Sequence, residues 1–295
     1  MRTLEPVTRI SLKNILLPTD FSETSYSAVP FAQAFARLYG ARLVAAHFLE
    51  PEPRLQVVFD RVPEQDNQDW VDAKQKLLAF TQSILADDTP CRTLLERGEI
   101  ANLVPDLIAE NSIDLVVLGT HGRRGVSKLL RGSVAEKIYR SATCPVLTVG
   151  PTAHSDVWKT WRIARMLFSV DLVESPEPAL HYALSLAEEQ QASLLLLYAN
   201  PPVPWQFRAL SAERAVHSLS GLIPEDAKLW CQPECMVRWE EPAEAILKVA
   251  QEREIDLIVM GVHKARAASL ASHLPWPIAS EVASRASCPV LTVRV

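Results

Sequence analysis

No apolar run in the chain approaches the ~20 residues needed to cross a bilayer, and residues 1–10 lack the long apolar core of a signal peptide. A cytoplasmic protein without a membrane partner is expected. Positive charge is not in surplus either: 30 Lys and Arg stand against 35 Asp and Glu, a net charge of −5. Nonspecific nucleic-acid binding draws its affinity from positive charge, so no nucleic-acid partner is expected. Cysteine is sparse, with five residues in 295, an odd number thinly spread. A chain of this length folds without staples, and reduced thiols are the simple reading. Cys231-x3-Cys235 lacks the spacing and the second pair of a familiar zinc site. A Walker A ending, Gly-Lys followed by Ser or Thr, is absent as well.

What remains is a globular composition, 48% hydrophobic and 22% charged, long enough for one large or two ordinary domains. Residues 11–20 put a short apolar strand before Pro18-Thr19-Asp20. A helix opened by Ser22 or Thr24 should follow, with Ala28, Phe31, Ala32, Phe35 and Leu38 at helical spacing. Gly40 is a natural stop, and Pro30 inside predicts a kink or a later start. Next come a strand over 41–49, a proline-containing loop over 51–66 and a helix over 69–85. A strand at 91–96, a helix at 100–111 and a buried strand at 113–118 complete the run up to a glycine loop. Strands alternating with helices predict a parallel sheet covered on both faces.

That loop is Gly119-Thr-His-Gly122-Arg-Arg-Gly-Val-Ser-Lys-Leu-Leu-Arg-Gly132-Ser133-Val134, and a helix over 133–140 follows it. Strand, glycine loop and helix start together suit a phosphate site. Glycines permit close approach, and a helix N-terminus offers unpaired N–H groups at the positive end of its dipole. Arg123, Arg124, Lys128 and Arg131 add positive charge, with Arg123 the leading candidate for phosphate contact.

The pattern then repeats. Residues 255–263, Ile-Asp-Leu-Ile-Val-Met-Gly-Val-His, match residues 113–121, and Cys288-Pro-Val-Leu-Thr-Val293 is identical to Cys144-Pro-Val-Leu-Thr-Val149. Residues 163–171 match the first strand, with Asp171 where Asp20 stood. The chain reads as a tandem duplication of one α/β domain, 1–151 and 152–295, joined by a linker at 150–160.

Gly119-x2-Gly122-x9-Gly132-Ser133, with Pro18-Thr19-Asp20-Phe21-Ser22 and the closing Cys144-Pro-Val-Leu-Thr-Val149, resembles the nucleotide-binding signature of the universal stress protein family. The resemblance covers nearly the whole chain. It implies two Rossmann-like domains, each a five-stranded parallel sheet with helices on both faces. Members usually dimerise, so the tandem chain is similar to a fused dimer, with strands 145–149 and 289–293 pairing across a pseudo-twofold axis. By the same resemblance ATP, with Mg2+ or Mn2+, would bind the first domain. Asp20, beside Pro18 and Thr19, would contact adenosine, and Phe48 would lie near adenine. Leu118, Gly119, Gly122, Arg123, Gly132, Ser133 and Val134 would surround the ribose and phosphates.

The second half serves as an internal control. Gly132-Ser133-Val134 corresponds to Trp276-Pro277-Ile278, and Gly122 to Lys264. Trp276 would fill the space a phosphate needs, and Pro277 has no N–H to donate. One competent site per chain is therefore expected, in 1–151. His121 persists as His263 in the altered half, which favours a structural role. Ser133 and Glu136 form a capping box, compatible with phosphate contact. Cys144 and Cys288 read as packing residues, and Trp70, Trp230 and Trp239 as core or interface. No residue is placed for catalysis, so at most slow ATP hydrolysis follows. A stress-response sensor or regulator with protein partners is the leading function. The alternatives are a non-nucleotide scaffold of the same fold and an enzyme of a related superfamily. Assembly of tandem chains into a further homodimer stays open.

Overall fold

The computed structural model of the chain describes residues 10–50, 64–84, 89–120, 134–153, 162–172, 176–202, 204–225, 227, 231, 233–262 and 275–294. In chain order the first half holds β1 Asn14–Pro18, α1 Glu23–Tyr39, β2 Arg42–Leu49, α2 Glu64–Ile84 and β3 Cys91–Arg97. It closes with α3 Ile100–Glu110, β4 Leu115–Gly119, α4 Val134–Ser141 and β5 Val146–Val149. The second half repeats the order: β6 Arg165–Val170, α5 Glu177–Gln190, β7 Ser193–Ala199, α6 Trp205–Leu222 and β8 Glu234–Arg238. Then follow α7 Pro242–Glu252, β9 Leu257–Val262, α8 Pro275–Arg285 and β10 Val290–Arg294.

One ten-stranded sheet runs β3-β2-β1-β4-β5-β10-β9-β6-β7-β8. Among the described residues all pairs within each half are parallel, and β5 and β10 pair antiparallel. Leu147 pairs with Leu291, its own counterpart in the repeat, flanked by Val290 with Thr148 and Thr292 with Val146. Equivalent residues facing each other mark a local twofold axis, so the expected pairing of the closing strands is present.

Alternation along the strands divides the core by face. Ile15, Leu17, Leu43, Ala45, Val117, Leu147 and their second-half partners Phe168, Leu194 and Leu291 meet α1, α2, α5 and α6 in one core running through both halves. Leu16, Val44, Val116 and Val146 face α3 and α4. Leu167, Leu195, Ile258 and Val290 face α7 and α8 in a separate cluster. Strands buried on both faces need unbroken apolar runs, which these have.

Local chemistry sets the element ends. Ser22 caps α1 by accepting the Ser25 N–H, and Gly40 ends it in the left-handed region at φ 63°. Pro30 lies inside this helix, which begins at Glu23, directly after its Ser22 cap, and continues to Tyr39. The helix expected at 69–85 begins earlier, at Glu64. Asp114, before β4, accepts the Lys13 N–H at 2.7 Å and the Asn14 N–H at 3.0 Å. Its repeat partner Asp256 accepts the Ala164 and Arg165 N–H groups at 2.9 and 2.8 Å. These shared carboxylates fasten the starts of β1 and β6, at the opposite end of the strands from the glycine loop.

Candidate functional site

Strand order changes direction between β1 and β4, whose neighbours lie on opposite sides. Chains leaving two such strands part company, and the crevice left at their C-terminal ends is where open α/β sheets bind ligands. Pro18, Thr19 and Asp20 leave β1 there; Gly119 and Thr120 leave β4.

The turn out of β1 is tightly specified. Thr19 is buried; its N–H donates to the Ala46 carbonyl at 2.8 Å. The Thr19 hydroxyl donates to Ser25 Oγ at 3.0 Å and accepts the Phe21 N–H at 3.0 Å. Its carbonyl accepts from His47 Nδ1 at 2.7 Å, so that ring nitrogen carries a proton. Phe21 takes the left-handed conformation at φ 63°, a cost of about 1–2 kcal/mol for a residue with a Cβ. Its ring offsets that cost by packing 4.5 Å from His47 and 6.2 Å from Phe80, centroid to centroid.

This turn leaves Asp20 exposed at the strand end. Its Oδ1 accepts the Ser22 N–H at 3.0 Å and the Ser22 hydroxyl. Partial burial works to raise the carboxyl pKa, but the hydrogen bonds from the Ser22 hydroxyl and N–H outweigh it and hold the group below its ordinary value of 3.8. Asp20 is thus a fixed, ionised carboxylate at the crevice, while capping of α1 falls to Ser22.

Gly119 has a packing reason of its own. A Cβ there would lie 1.8 Å from the Thr24 carbonyl oxygen, so only glycine lets the first turn of α1 rest on β4. Gly261 occupies the same position in β9. Phe48 and Leu118 are buried among Ile100, Val104 and Ile138 under α3 and α4, and Val134, at the start of α4, packs against the same cluster. Of the site residues named from sequence, Pro18, Thr19, Asp20 and Gly119 therefore gather at the β1–β4 crevice. Phe48 and Leu118 belong to the core beneath it. Gly122, Arg123, Gly132 and Ser133 lie outside the described residues, as do His121, His263, Arg124, Lys128, Arg131, Lys264 and Trp230. Trp276 and Pro277 fall in the first turn of α8, three residues of which precede the position matching the start of α4.

Sequence reading assigns no role to Ser25, His47 and Thr120, and quotes Phe21 only within the motif that follows β1. Nothing in the residue type of Phe21 signals a left-handed backbone, and the link from Thr19 to His47 exists only after β1 and β2 pair.

The remaining candidates behave as packing groups. Burial pushes the Cys144 and Cys288 thiols up to about 12, and the Cys231 thiol to about 11. The Arg97 guanidinium sits 5.6 Å from the Trp70 ring, and Tyr198 meets Trp239 edge to face at 6.4 Å. Among the described residues no three His, Cys, Asp or Glu side chains are grouped to hold a metal, and no helix is long and apolar enough to cross a membrane.

Comparison with known proteins agrees with this layout. The model of the universal stress protein family matches the chain twice, over residues 11–150 and 163–294. The chain belongs to the universal stress protein family. It is similar to a universal stress protein of Thermus aquaticus, 31% identical over 139 residues, which cover 46% of this chain and 98% of that one. Among solved structures, a universal stress protein from Archaeoglobus fulgidus superposes with a TM-score of 0.69 at 17% identity, over 95% of this chain and 98% of its own. Another universal stress protein was solved in complex with cAMP; it is 21% identical, covers 50% of this chain and has a TM-score of 0.32.

Proposed function

We propose that the first half binds an adenine nucleotide, ATP accompanied by Mg2+ or Mn2+, and that the protein works as a stress-response sensor or regulator. The observation that carries this reading is Asp20, a fixed carboxylate at the crevice between β1 and β4, beside a strand end that leads into the glycine loop. A carboxylate so held can accept hydrogen bonds from a ribose or base. The glycine loop and the start of α4 would supply N–H groups to the phosphates. Mg2+ keeps several of its waters and binds largely through substrate phosphates, so it would arrive with the nucleotide. In the second half Asp171 recurs, but Trp276 and Pro277 replace Gly132 and Ser133, so that half is proposed to lack the phosphate site.

Thermal unfolding with ATP and Mg2+ tests the reading, with cAMP as a second ligand. Binding at a hundredfold excess over Kd stabilises by about 2.7 kcal/mol. The expected result is a raised Tm in wild type that is lost in Gly132→Trp and reduced in Asp20→Ala. A wild-type Tm indifferent to both ligands would falsify it.

A further inference from the structure

The end of β4 is held from both halves of the chain at once. On one side Gly119 lies against the Thr24 carbonyl of α1. On the other, the next residue, Thr120, is buried at 1% exposure and reaches α8. Its N–H donates to the Val149 carbonyl at 2.9 Å, and its hydroxyl is shared between the Val149 and Ala283 carbonyls, both at 3.4 Å. The last four carbonyls of a helix have no partner within it. Ala283 belongs to that last turn of α8, so a first-half hydroxyl caps a second-half helix. Two neighbours build the same seat. Thr152 Oγ1 donates to the Ala286 carbonyl at 2.6 Å. A Cβ at Gly150 would come within 3.0 Å of the Ala283 oxygen and 3.2 Å of the Ala286 oxygen.

The twin position is built differently. Counting from Gly119 and Gly261, Thr120 corresponds to Val262, which is buried and has no hydroxyl to give. Gly150 corresponds to Arg294, whose guanidinium donates to the Arg140 carbonyl at the end of α4. The hydroxyl tie thus occurs in the half that keeps the glycine loop, and a valine stands in the half that lost it.

We propose that Thr120 is a positioning residue that ties the end of β4, and so the nucleotide site of the first half, to α8 of the second. The inference rests on the nucleotide reading above. The altered half then has a role of its own, because its helix fixes one wall of its partner's site. Coupling of this kind is reciprocal, so nucleotide bound to the first half also steadies α8.

The test uses the full chain and calorimetric titration with ATP and Mg2+. Thr120→Val removes the hydroxyl and keeps the shape; Thr120→Ser keeps the hydroxyl; Thr152→Val weakens the same helix seat away from β4. A single net hydrogen bond predicts a Kd about three- to tenfold higher for Thr120→Val, with Thr120→Ser and Thr152→Val within about twofold of wild type. Unchanged affinity in Thr120→Val, or an equal loss in Thr152→Val, overturns the proposal. If wild type binds no ATP, the nucleotide reading fails, and the tie is judged by amide exchange instead. The residue-120 amide should then exchange faster in Thr120→Val than in wild type and Thr152→Val, and equal rates in all three would end the idea.

Discussion

Thr148 and Thr292 donate their hydroxyls to each other's strand across the centre of the sheet. Thr148 Oγ1 reaches the Val290 carbonyl at 3.1 Å, and Thr292 Oγ1 reaches the Val146 carbonyl at 3.2 Å. Both side chains are buried, at 0% and 2% exposure, and both occupy the same place in the repeated Cys-Pro-Val-Leu-Thr-Val. Replacing either by valine keeps the volume and removes its hydroxyl's bond across the seam. Each of Thr148→Val and Thr292→Val should cost about 1 kcal/mol. In urea the midpoint should fall by similar amounts with an unchanged slope. Markedly unequal losses would mean that the pseudo-twofold contact is not shared evenly.

Gly119 and Gly221 should respond in opposite directions to alanine. At Gly119 the added Cβ would lie 1.8 Å from the Thr24 carbonyl, so α1 must move away from β4. A loss of about 3 kcal/mol is expected, the upper end of what overpacking usually costs. Gly221 sits in α6 with nothing within 4 Å of the new atom. There Gly221→Ala should stabilise by about 0.5–1 kcal/mol through helix propensity. Thermal melts of the two variants check both signs.

Asp114 and Asp256 are expected to matter for folding and not for ligand. Alanine at either position removes two hydrogen bonds to strand-start N–H groups, and since water can take the acceptor's place at these largely exposed positions the cost should be about 0.5–1.5 kcal/mol. On the proposed reading the nucleotide Kd should stay within error of wild type, since these carboxylates lie at the far end of the strands. Weakened binding in a folded Asp114→Ala protein would contradict that separation.

Asp20 makes a pH-dependent contribution whose sign is fixed. Its folded pKa is depressed below 3.8, so between the folded and unfolded values the unfolded chain binds more protons. The contribution is therefore complete above the unfolded value and disappears as pH falls through the folded one. The stability difference between wild type and Asp20→Asn should be level from pH ~7 to ~5 and shrink below about 4. Denaturant titrations at several pH values check this, and a difference that grew in acid would contradict it.

Much of the fold is legible in the sequence because apolar period and repetition report directly on strands buried on both faces. The apolar run Ile15, Leu16 and Leu17 follows from such signals and the helix ends at Ser22 and Gly40 from residue type, while the pairing that brings Leu147 against Leu291 is implied by the family resemblance. Other features carry no local mark. The polar first turn of α2, from Glu64, has no apolar spacing to show that it is helical. In the second half α6, β8 and α7 escape separate delineation, since residues there do not copy the first half closely. Gly119 reads as a point of ligand approach, yet its packing need comes from α1, which touches it only after the sheet assembles. Phe48 and Leu118 are named as ligand neighbours through the family resemblance; that both side chains are buried towards α3 and α4 is set by strand pairing and carries no local mark in the sequence.

The antiparallel junction of β5 with β10 has a consequence for how the protein behaves on dilution. Two separate domains paired through those strands would part as their concentration fell, and their melting temperature would fall with it. Here both partners travel on one chain, so pairing is an intramolecular event whose effective concentration is set by the linker. Its midpoint of unfolding should hold steady over a wide range of protein concentration. The duplication thus makes a dimer-like sheet whose persistence does not depend on how much protein is present.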